Sequence, residues 1–195
     1  MRRELIALVL IGCGAPAPTC PSGTHDDVAR ASAIENRLAS VAQGRALIDA
    51  ARARVPAICF GASESASVIT TDRVVLLASG LEEGEAAARL GHLLVHARDG
   101  LPTDEVHARM DPAACEAAVD RAIDLEAHAY VVEVSLQTAL DARPTQLVFE
   151  FVDAMRAAPP DTRFDIARTY LREHPDGGPG IDGLASAYRA ICSAR

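Results

Sequence analysis

The chain has 195 residues, which suits one domain with a sizeable core. Apolar residues make up 49% and aromatic ones only 4%, with no Trp, so the core is expected from Leu, Val, Ile and Ala on packed helices. All 19 basic residues are Arg and the net charge is -8, with no basic patch, interleaved aromatics or Gly-rich phosphate loop, which argues against a nucleic-acid partner.

Residues 1–12 are read as a signal segment rather than as part of the fold. Arg2 and Arg3 form a positive start, and Leu5 to Ile11 form an apolar run too short to span a bilayer. The run Leu10-Ile11-Gly12-Cys13 resembles a bacterial lipobox. That resemblance implies cleavage before Cys13 and acylation of this cysteine, an anchor of two or three chains that holds a protein stably at a membrane. The implied place is the cell envelope, facing the periplasm. Gly14, standing where Asp marks inner-membrane retention, favours the outer membrane. A plain secretory signal cleaved after Ala15 or Ala17 is the alternative.

Residues 13–24, rich in Pro, Gly, Ser and Thr after the cysteine, read as a flexible tether. Export leaves Cys20, Cys59, Cys115 and Cys192 in an oxidising compartment. One or two disulfides are expected among them, with three full pairings open; Cys59 and Cys115 could instead be small buried apolar residues.

The domain occupies 25–195. Thr24 is placed to cap a helix that runs to about Arg54, weakened at Gly44 and stopped by Pro56. The runs AICFG and RVVLLAS then read as two or three strands. A helix follows from Glu82 to about Arg98, ended by Gly100 and Pro102. After a polar loop, Pro112 opens a long helix to about Ala142. Shorter helices are expected near 145–157, 161–173 and 184–193. The fold class is therefore α+β and mostly helical, with a small sheet or hairpin packed on a helical bundle.

Within the 82–98 helix, Ala86, Leu90, Leu94 and Ala97 share a core face. His92 and His96 fall almost opposite, beside Glu85, Arg89 and Asp99, on a side expected to meet solvent. Their spacing of four lets two imidazoles reach one tetrahedral metal. On the 112–142 helix, Glu126 sits in the middle of a face made by Val119, Ala122, Ile123, Ala129 and Tyr130, with Glu133 one heptad on. A carboxylate there needs either a metal or a buried cation, for which Arg89 and Arg98 are the candidates. His107, His128, Glu116 and Glu85 are alternative ligands, whereas His25 and His174 read as surface residues.

A Val- and Leu-rich strand leading into EAAARLGHLLVHARDG, followed by DLEAHAYVVE, resembles the glutamate-zincin branch of zinc metallopeptidases over roughly residues 70 to 135. The resemblance implies His92, His96 and Glu126 as zinc ligands. Leu93 stands where that pattern carries its catalytic glutamate. Leucine can neither take a proton from water nor deliver one to a leaving amine, and general acid–base catalysis is worth roughly 10²–10⁴-fold. The expectation is a lipid-anchored, inactive zincin-like domain that serves as a binding or structural module for an envelope partner. An active hydrolase using Glu85 or Glu133 as base is one alternative. A helical lipoprotein without metal is the other.

Overall fold

A computed structural model describes residues 20–61, 67–142, 149–178 and 181–194. The signal segment and Cys13 lie outside the described residues. The fold is mostly helical α+β, as expected. A short strand β1 (His25–Asp26) leads into α1 (Val28–Ala39) and α2 (Ala42–Ala51), followed by β2 (Ile58–Phe60), β3 (Val68–Ile69) and β4 (Val75–Leu77). The helices α3 (Glu83–Asp99), α4 (Pro102–Glu105) and α5 (Pro112–Ala139) come next. The chain continues through α6 (Phe149–Ala157) and α7 (Arg163–Glu173), a two-strand ribbon of β5 (Gly177–Gly178) and β6 (Ile181–Asp182), and α8 (Leu184–Ser193).

The sheet runs β1-β2-β4-β3, with β2 and β4 parallel at the centre and the outer pairs antiparallel. The two central strands are buried throughout. That explains their continuous apolar composition, since strands covered on both faces show no alternation.

Three local expectations change. The single helix to Arg54 is two helices broken at Ser40–Val41, where α1 ends on its own carbonyls. Gly44 makes the close return of α2 feasible, because a Cβ there would overlap the Leu38 carbonyl oxygen. The cap of α1 is Asp27, which accepts from the Arg30 amide, whereas Thr24 turns back to Pro21. The stretch 13–24 is not a free tether to its end, because Cys20 is disulfide-bonded to Cys59 of β2.

The second disulfide joins Cys115 in the first turn of α5 to Cys192 near the end of α8, with Cα atoms 5.7 Å apart in both bridges. All four cysteines thus pair, and Cys59 and Cys115 are not simply apolar filling. Two disulfides are the mark of an oxidising compartment. Among the described residues no helix is long and apolar enough to cross a membrane.

Two apolar cores flank the interface of α3 and α5. One gathers α1, α2, the sheet and one side of α3, including Leu90, Leu93 and Leu94. The other gathers α5 with α6, α7 and α8, including Ile123, Phe151, Leu171 and Tyr188. Gly91 lets α3 and α5 approach, since a Cβ there would overlap Leu136 Cδ1.

Candidate metal centre

The 17-residue α3 carries acidic residues in its first turn and Arg98 in its last, a charge order that matches the helix dipole. Its side opposite the sheet does not meet water. α5 covers it, and His92 and His96 are only 4% and 3% exposed. The histidine face is therefore enclosed rather than solvated, because α5 sets Glu126 and Glu133, amid its own buried apolar residues, against the histidines.

Across that interface α5 presents Glu126, which is 8% exposed. The His92 and His96 Nε2 atoms are 3.1 Å apart. Glu126 Oε2 lies 3.4 Å from His92 Nε2 and 3.3 Å from His96 Nε2. The three atoms make a nearly equilateral triangle. Ligands about 2.0–2.1 Å from a tetrahedral zinc stand about 3.3 Å from one another, so the triangle has the size such an ion requires. The group of His92, His96 and Glu126 could hold a metal ion, and the residues present fit one.

Further polar side chains surround the three. Glu133 Oε2 is 2.9 Å from His92 Nδ1, at ion-pair distance though not aligned for a linear hydrogen bond. Arg89 Nη1 reaches the same oxygen at 3.2 Å, and Gln137 Nε2 donates to Glu133 Oε1 at 3.2 Å. Tyr188 of α8 donates its hydroxyl to Glu126 Oε1 at 2.7 Å. The Tyr130 ring stands edge-on to His92, 4.8 Å between centroids. A carboxylate behind a histidine's second nitrogen fixes the ring's orientation and tautomer, a recurrent support for metal-binding imidazoles.

Electrostatics hold the carboxylates charged. Burial opposes ionisation of Glu126, but the charge of His96 and the bonds from His92 and His96 hold it well below the usual carboxylate range. Glu133 is likewise lowered: burial opposes it, and the Arg89 guanidinium and His92 outweigh that. Burial works against a charged His92, yet the two carboxylates raise its pKa. The Tyr188 hydroxyl is pushed up by burial and by the charge of Glu126, so it stays a neutral donor.

The remaining candidates separate cleanly. Leu93 lies in the core with the sheet, 3% exposed, rather than on the wall of a cleft. Arg89, half-buried, is the cation of the site, but its partner is Glu133, while Arg98 pairs with its neighbour Asp99. His107 and His128 are exposed, and Glu116 pairs with Arg189 on the surface. Glu85 is buried but is not among the grouped ligands. His25 is exposed, and half-buried His174 stacks on Tyr170. Tyr188 had no signal in the sequence, because its bond to Glu126 spans 62 residues.

No family model, no characterised protein and no solved structure matches the chain.

Proposed function

We propose that the chain is an exported, lipid-anchored envelope protein whose domain binds zinc in a zincin-like site and acts as a binding or structural module. The observation that carries this reading is the triangle of His92 Nε2, His96 Nε2 and Glu126 Oε2, with edges of 3.1 to 3.4 Å, buried between two helices. Zinc bound there would supply a Lewis acid and a polarised water. The chain's own groups give that chemistry little to act with. At the position after His92 stands Leu93, packed in the core, and the nearby carboxylate Glu133 is engaged by Arg89 and His92. Glu133 orients His92, and Tyr188 holds Glu126 by its second oxygen. These roles are those of a site that keeps an ion rather than one that turns over a peptide. The anchor at Cys13 rests on the lipobox resemblance, and an envelope protein is the partner it implies.

One observation favours a second reading, a metal-free buried network. Arg89, Glu126 and Glu133 together leave one negative charge, which a single imidazolium would neutralise, and His92 is shifted in that direction. Zinc measured by mass spectrometry in protein purified without a His tag separates the two. Near-stoichiometric zinc that disappears in a His92→Ala/His96→Ala variant supports the metal site. Absence of zinc in both leaves the proton-held network. For the anchor, Cys13→Ser is expected to move the protein from the membrane fraction to the soluble one.

A further inference from the structure

Among the described residues, Tyr188 is the only one of α8 that bonds to a group of the site, donating its hydroxyl to the proposed metal ligand Glu126. It is 6% exposed. One helical turn further on, Cys192 is bonded to Cys115. Residues four apart lie on one face of a helix, so the disulfide and the hydroxyl secure the same side of α8 to the same helix, α5.

α8 has ten residues, and helices that short are marginal in water without tertiary contacts. Its other ties are weaker or peripheral. Arg189 pairs with Glu116 on the surface, where ion pairs contribute little. Ser186 bonds to Asp176 and to the Pro175 carbonyl in the preceding turn, at the exposed start of the helix. The Arg109 amide also donates to the Cys192 carbonyl at 3.0 Å, and Ala185, Tyr188 and Cys192 pack into the second core. Among the described residues, the one covalent tie of α8 to α5 lies a single turn from the Tyr188 hydroxyl.

Resting on the zinc reading above, we propose that α8 is a clamp on the metal centre: Tyr188 is a positioning residue for the ligand Glu126, and the Cys115–Cys192 disulfide holds it there. The disulfide contains no ligand, yet it governs how long the ion stays. A carboxylate held at one oxygen by a buried donor presents the other oxygen in a fixed direction. Loss of such a supporting bond weakens metal binding by roughly 10–100-fold. The Cys20–Cys59 disulfide ties β2 to the segment before β1 and packs with Val74 and Leu76, in a cluster separate from the two main cores, so it should not affect the ion.

The test loads the full chain with zinc and follows its transfer to a chromogenic chelator. It compares wild type, Tyr188→Phe, Cys115→Ser/Cys192→Ser and Cys20→Ser/Cys59→Ser. Tyr188→Phe keeps the ring and its packing, so it reports on the hydroxyl even where the cysteine variant folds poorly. A parallel Co²⁺ titration reads the ligand field, which a purely structural tyrosine would not move. The expected result is release at least 10-fold faster in the Tyr188 and Cys115/Cys192 variants, a shifted Co²⁺ spectrum in Tyr188→Phe, and wild-type behaviour in the Cys20/Cys59 variant. Equal release from wild type and Tyr188→Phe overturns the clamp while leaving the zinc site standing. Equal acceleration in both disulfide variants also overturns it, as general loosening. A wild type that takes up neither zinc nor cobalt removes the metal reading, and the clamp falls with it.

Discussion

Along α3, Ala86, Leu90, Leu93, Leu94 and Ala97 pack into the core shared with the sheet, α1 and α2. On the other side Arg89, His92 and His96 meet Glu126, Glu133 and Tyr130 of α5. Both sides are buried, but they are stabilised differently. The first gains from apolar area removed from water, which needs shape and no particular partner. The second consists of charges and imidazoles whose desolvation is offset only while every partner is present. A helix can thus look amphipathic in sequence and still be enclosed, provided the helix opposite it supplies matching polar groups.

The most severe way to break this division is to put a charge on the apolar side. Leu93→Glu restores the letter of the peptidase motif, but its carboxylate would enter the core beside the sheet. The expected loss is on the order of 5 kcal/mol, read as a fall in the urea midpoint. Casein cleavage is expected to stay absent. A variant as stable as wild type, with cleavage that chelators abolish, would mean that Leu93 borders an accessible cleft and that the two sides of α3 are wrongly drawn.

Removing a charge from the polar side should cost nearly as much. Glu133→Ala leaves buried His92 and half-buried Arg89 without their shared carboxylate, and breaking a buried pair costs about 3–5 kcal/mol. Glu133→Gln, which keeps the shape, should lose less. Acid produces a related loss in the unaltered protein. The pKa values of Glu126 and Glu133 are lowered by folding, so their contribution is complete above the unfolded value of about 4.3 and is lost as pH falls below it. Stability measured from pH 7 to pH 3 should therefore decline more steeply in wild type than in Glu133→Gln. Parallel curves would show that folding leaves the Glu133 pKa unshifted, and a shallower decline in wild type would show that Glu133 is protonated in the fold.

Much of this arrangement is legible in the sequence, for identifiable reasons. Gly100, Pro102 and Pro112 mark the ends of α3 and α5 because each restricts the backbone locally. Glu126 stands out because a carboxylate amid Val119, Ile123 and Tyr130 requires a partner. The partners across space are less legible. Arg89 was a candidate for Glu126 and meets Glu133, since a helical wheel gives direction but not the offset between two helices. Strands β1 and β3, with two residues each, are too short to show alternation. The break at Ser40–Val41 comes from the packing of α2 against α1 around Leu38, which periodicity alone does not contain. Tyr188 belongs to the site only through the docking of α8.

The mildest expected effect lies at the residue that sets the spacing between the two sides. Gly91 is in the interior of α3, where Gly is less favourable than Ala by about 1 kcal/mol, so helix propensity favours Gly91→Ala. Packing opposes it: the new methyl meets Leu136, which is fully buried and has little room to turn. Overpacking of this kind costs about 1–3 kcal/mol, so the net loss of stability should be small. The metal triangle is less forgiving. Two of its three edges are fixed by how closely α5 approaches α3, and a few tenths of an ångström added there fall directly on the distances from Glu126 to the two histidines. Zinc affinity, measured by competition with a chromogenic chelator, should therefore fall by a larger factor than the folding equilibrium does. An unchanged affinity beside a reduced unfolding midpoint would mean that the ligands shift with their helices, and that the apolar packing of α3 does not set the geometry of its polar side.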